Sequence, residues 1–102
     1  MQVAKEGSTY IVTVTYKDED GSAVTPNSVT WTLTNGRGQV VNSRSAVSIA
    51  SPGTSNTIVL QGDDLNIDDG EEREISISAL YDSSNGSGLP LKDSATFVIE
   101  EV

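Results

Sequence analysis

The chain has 102 residues, no cysteine, no histidine, and 15 acidic against 6 basic side chains, for a formal net charge of −9. Without cysteine there is neither a disulfide staple nor a thiolate metal site, and without histidine the commonest general base and neutral metal ligand are gone. The acid excess argues against nucleic acid or an anionic membrane as partner, since phosphate contacts need Lys and Arg, and the six cations are scattered from Lys5 to Lys92.

Val, Ile and Thr supply 28 residues, and β-branched side chains suit a pleated surface better than a helix. The expectation is an all-β chain forming one domain over residues 1–102. A short strand is expected over Gln2–Lys5. Thr9–Tyr16 then alternates, placing Tyr10, Val12, Val14 and Tyr16 on one face and Thr9, Ile11, Thr13 and Thr15 on the other. Ser28–Asn35 repeats the pattern, with Val29, Trp31 and Leu33 set against Thr30, Thr32 and Thr34.

Asn35-Gly36 follows as a hairpin signal, because both residues tolerate positive φ. Further strands are predicted over Ala46–Ala50, Asn56–Gln61, Glu72–Tyr81 and Ala95–Glu100, with Ile75, Ile77, Ala79, Tyr81, Phe97 and Ile99 facing inward. Turn formers fill the intervals between them. About seven or eight strands at ~8–12-residue spacing are the pattern of a sandwich. No apolar run is long enough for a signal peptide or a membrane-spanning helix, so a chain starting natively at Met1 is expected to stay in the cytoplasm where it is made.

Three stretches invite a functional reading. Lys17–Pro26, "KDEDGSAVTP", begins like a calcium loop with Asp18-x-Asp20-Gly21. It lacks the downstream bidentate acid, and Asp20-Gly21 is itself a turn pair, so a turn is the preferred reading. Asp63–Glu74 holds seven acids and one arginine. Asp63, Asp64, Asp68 and Asp69 could form an acidic docking face or a weak divalent-ion site, but a solvated connection anchored by Leu65 and Ile67, with its acids pointing out, is preferred. The third stretch, "YDSSNGSGLPLKD", reads as a loop carrying an apolar bump at Leu89, Pro90 and Leu91. Those side chains either close the open end of the core or insert into a partner.

Catalysis is not expected. The 24 serines and threonines have no His or Cys to complete a nucleophilic triad. No glycine loop precedes a helix to cradle phosphate, and five aromatics offer little sugar-stacking surface.

The Trp in the third strand, Leu65 before the sixth, and Tyr81 at the end of that strand together resemble the immunoglobulin and fibronectin type III superfold. In that comparison "VTWTLTNGRGQVV" resembles a C–C′ hairpin and "REISISALYDSS" strand F, which implies a single immunoglobulin-like antiparallel β-sandwich. The paired cysteines of antibody domains are absent, and Tyr81 lies later than a tyrosine-corner residue would. "VTYKDEDGSAVTPNSVTWTLTN" and "YDSSNGSGLPLKD" are similar to small proteins encoded among the structural genes of tailed phages. The resemblance implies a non-enzymatic accessory or decoration subunit on a capsid, neck or tail surface, assembled in the host cytoplasm. Its partners would be other virion proteins, with no cofactor, no nucleic acid and no membrane, and self-association is left open. The alternative is a module of a bacterial surface protein or adhesin that recognises a carbohydrate or protein ligand through its B–C and F–G loops.

Overall fold

The computed structural model describes residues 2–102, which form an all-β fold of two sheets. The strands are β1 (Gln2–Lys5), β2 (Thr9–Thr15), β3 (Ser28–Asn35), β4 (Val47–Ser48), β5 (Ser55–Gln61), β6 (Glu72–Ser83) and β7 (Gly86–Glu100). One sheet has the order β1-β7-β6-β3-β4, and the other is the pair β2-β5. Two short 3-10 turns, Gly62–Leu65 and Ile67–Asp69, connect β5 to β6. No described helix is long and apolar enough to cross a membrane.

Period-two patterning decides which face of each strand is buried. Val29, Trp31 and Leu33 on β3 and Ile75, Ile77, Ala79 and Tyr81 on β6 turn into the core. They meet Val14 and Tyr16 from the β2 side and Ile58 and Leu60 from β5, while Thr30, Thr32 and Thr34 stay half-exposed. Tyr10 stacks on Phe97 with ring centroids 4.3 Å apart, joining the two sheets at the end where β1 runs.

Several expectations are corrected. The five-stranded sheet is mixed rather than purely antiparallel, because β1 runs parallel to β7, with Gln2 opposite Phe97 and Lys5 opposite Glu100. The strand expected over Ala46–Ala50 shrinks to Val47–Ser48, since Asn42, Ser43 and Ala46 all have positive φ and the chain arrives through an irregular segment. At the Asn35-Gly36 hairpin the left-handed residue is Gly38 (φ 75°). Asn35 serves instead through its side chain, whose Oδ1 accepts from the backbone of Arg37 and Gln39, both at 3.0 Å.

The largest correction concerns residues 81–93, which are a hairpin and not a loop. Paired β6 and β7 extend to a tight turn at Ser84-Asn85, with a bulge between Tyr81 and Ser83. The extended β6–β7 hairpin contributes to the elongated shape, 48 × 22 × 20 Å. Leu89, Pro90 and Leu91 therefore lie on β7, opposite Tyr81, Leu80 and Ala79.

Candidate docking surface

Four places could carry function, and in three of them the polar groups are already engaged with one another. The Lys17–Pro26 stretch folds as a miniature hairpin closed by a bridge between Lys17 and Ala23. Asp18 Oδ1 accepts from the backbone N–H of Asp20 and Ser22, both at 2.9 Å, and Gly21 supplies the left-handed residue (φ 82°). This Asx-type turn uses the carboxylate a calcium loop would offer to its ion. Glu19 reaches across to the β6–β7 hairpin. It accepts from the Tyr81 hydroxyl at 2.8 Å, the Ser83 hydroxyl at 2.9 Å and the Asn85 amide. Its own backbone N–H, then Tyr81, Asn85 and Ser83, hold its pKa down at about 2. The Lys17–Pro26 turn and the tip of the β6–β7 hairpin thus meet at one end of the molecule, bound to each other.

The acidic connection is built around a buried arginine. Arg73, 1% exposed, donates from Nε to the carbonyl of Asp64 at 3.1 Å and from Nη2 to that of Asn66 at 2.7 Å. Its Nη1 donates to the carbonyls of Gly70 and Glu72, both at 2.9 Å. Four carbonyls, from the first 3-10 turn, the two residues flanking the second and the start of β6, are satisfied by this one guanidinium. Burial lowers the Arg73 pKa from its usual value, and Asp69 and Asp64 act in the opposite direction.

Asp64 does not point outward as expected, but is fully buried. Its Oδ1 accepts from Arg44 Nε at 2.8 Å and Asn42 Nδ2 at 2.9 Å, and Oδ2 accepts from the Gln61 N–H at 3.0 Å. Burial pushes its pKa up, but these donors, Arg44 first, outweigh burial and leave the carboxyl below the usual aspartate range. Arg44 in turn lies 5.9 Å from the Trp31 ring centroid, within reach of a cation–π contact. Asp63 and Asp68 are exposed and Asp69 is half-buried, so the four aspartates do not converge. Among the described residues no group of three or more acids is placed to hold a metal ion.

The burial of Arg73 was legible. It sits two residues before Ile75 on a strand of period two, and therefore on the inward face. Arg44 and Asn42 carried no such signal, because the segment that brings them to Asp64 is irregular.

Leu89 and Leu91 are half-buried, Leu91 against the core, and Pro90 is exposed. The dipeptide Asn85-Gly86 lies here as Asn35-Gly36 does at the other hairpin, but displaced by one residue from the turn at Ser84-Asn85, and Asn85 does not take positive φ. The free side of β7 resists strand addition. Ile99 N–H bonds Glu71 O, which by antiparallel alternation turns the edges of Pro90, Lys92, Ser94 and Thr96 away from β6. Pro90 has no N–H, Lys92 carries a charge, and the Ser94 N–H is taken by Asp93 Oδ1 at 2.8 Å.

The β2–β5 sheet is different, and the acid- and loop-centred reading overlooked it. From Thr9 to Thr15 and from Ser55 to Gln61 there is no charged residue and no proline. Its outer face carries Ile11, 58% exposed, directly opposite Val59, 47% exposed, with Thr9, Thr13, Thr15 and Thr57 around them. On a chain of net charge −9 this is a flat, neutral, partly apolar surface. No protein family, curated protein or solved structure matches this chain.

Proposed function

We propose that the protein is a non-enzymatic docking subunit, an accessory or decoration component of a tailed-phage particle, with an immunoglobulin-like sandwich as its frame. The pairing of β2 with β5, apart from a sheet in which β7, β6 and β3 are neighbours, supports that frame. The phage setting is supported by the resemblance of Val14–Asn35 and Tyr81–Asp93 to small phage structural proteins.

The observation that carries the docking reading is the neutral β2–β5 face with its Ile11–Val59 pair. Three carboxylates of the candidate stretches are committed to intramolecular partners, Asp64 to Arg44, Glu19 to the hairpin and Asp18 to its own turn, and Asp63, Asp68 and Asp69 do not converge on one site. An uncharged, partly apolar sheet face can approach another protein with little polar desolvation. On an ordered particle, many weak copies of such a contact gain avidity from repetition.

Sedimentation of a lysate from the native source tests the reading, with the protein followed across the gradient by mass spectrometry. Co-migration with megadalton particles that survives a salt wash is expected. Recovery only as a free small protein, or with the cell envelope, would overturn the virion assignment and favour the adhesin-type module.

A further inference from the structure

We infer that β2 is a self-pairing edge: two copies of this chain join antiparallel along Thr9–Thr15 into a continuous four-stranded β5-β2-β2-β5 sheet. The inference deepens the docking reading by naming a partner for the same sheet, but pairing of the isolated chain does not depend on a virion.

Backbone alternation places the free groups. Tyr16 N–H bonds Thr54 O and Gly62 N–H bonds Ser8 O, so even-numbered residues of β2 exchange hydrogen bonds with β5. Thr9, Ile11, Thr13 and Thr15 therefore direct their N–H and C=O away from β5. None of these four N–H groups has a partner among the described residues. β1 does not pair with this flank, being bound to β7 at Phe97–Glu100. Beside the edge lies a shallow cleft of about 80 Å³ between Val12–Thr15 and Asp93–Ala95, with Ile75 and Ile77 at its floor.

The other long edges are less available. β7 is blunted by Pro90, Lys92 and the Asp93-capped Ser94, and on β5 the Gln61 N–H is held by Asp64. Among these described edges only β2 keeps its full set of edge groups, with no charge, proline or bulge to discourage pairing.

A second copy is the occupant that fits. Centred on Val12, the strand "TYIVTVT" pairs Thr9 with Thr15 and Ile11 with Thr13 of the other copy. All four are outward-directed residues, so each opposed pair is a hydrogen-bonded one, and side chains of like face coincide. The two Ile11 side chains become diagonal neighbours on the outer face, within reach of each other and of Val59. Because both copies carry net charge −9, approach is favoured where charge is absent, which is this strand and its neighbour.

Analytical ultracentrifugation of the purified full chain, across concentration and salt, is the test. A reversible dimer strengthened by added salt is expected. Ile11→Lys alone and Thr13→Asp alone should each weaken association by about tenfold or more, through desolvated charge at the pairing line. The double variant I11K/T13D should restore it, since the ammonium introduced at position 11 of each copy then faces the carboxylate introduced at position 13 of the other. Both sites are on the outer face, and melting curves verify that every variant folds. A chain that stays monomeric at millimolar concentration, a dimer indifferent to the single variants, or failure of the double variant to restore association overturns the inference. A self-pairing protein absent from particles would contradict the virion assignment while leaving the pairing intact.

Discussion

Arg73 directs its guanidinium at backbone carbonyls rather than at a carboxylate, and the acidic connection depends on it. Replacing it with methionine, of similar reach, leaves the carbonyls of Asp64, Asn66, Gly70 and Glu72 without their donor. R73M is expected to lower unfolding free energy by about 2–4 kcal/mol, the order expected when buried carbonyls lose a charged donor. Urea denaturation measures this, and a loss below about 1 kcal/mol would contradict the role given to Arg73. Two carboxylates, Glu19 at the β6–β7 hairpin and Asp64 beneath the acidic connection, set a pH dependence. Glu19 is held at about 2 against an ordinary 4.5, so its stabilisation is full above 4.5 and is lost as pH falls toward 2. Asp64, also depressed, adds a loss in the same direction below 3.8. Glu19→Gln should therefore melt lower than the parent at neutral pH, with the two curves converging as pH falls from 4.5 to 2. A melting difference independent of pH across that window would show that Glu19 contributes no charge-dependent contact.

At the scale of elements, the strands were legible wherever one face is buried and the other is not. β2, β3 and β6 alternate apolar with Thr, Ser or Glu, and their registers follow from that. The first nine residues of β7 escaped because Gly86, Gly88, Pro90 and Asp93 are turn formers by composition, and most of that stretch is exposed. Pro90 is tolerated there because its missing N–H faces the free edge. The segment before β4 was opaque for the opposite reason, since its shape comes from long-range bonds to Asp64 and not from any local pattern. Ala46, exposed at φ 48°, shows the strain. Ala46→Gly is expected to stabilise by up to about 1 kcal/mol, the cost of holding a Cβ in the left-handed region, and a decrease in melting temperature would contradict it. On the hairpin, the double variant Leu89→Ala, Leu91→Ala should cost about 1–3 kcal/mol of stability through lost burial, with docking retained. Unchanged stability with docking abolished would return these residues to the partner surface.

Across the whole molecule, the charge lies apart from the neutral β2–β5 face where docking is proposed. The acids that dominate the composition solubilise the chain or are consumed in its own architecture, while the least conspicuous strands, β2 and β5, carry the neutral face. That division was only half legible: the absence of charge in Thr9–Thr15 and Ser55–Gln61 is plain in the sequence, but their pairing into a separate sheet with an open edge is a property of the fold. The most direct measurement is amide hydrogen exchange, read by residue, on the chain free at high dilution and bound to the particle or partner with which it co-purifies. Slowed exchange on binding should map to Ile11, Thr13 and the outward-directed amides of Thr57 and Val59, with Asp63–Asp69 unchanged. Protection confined to the acidic connection, or to the Ser83–Leu91 hairpin tip, would contradict the assignment of docking to the β2–β5 sheet.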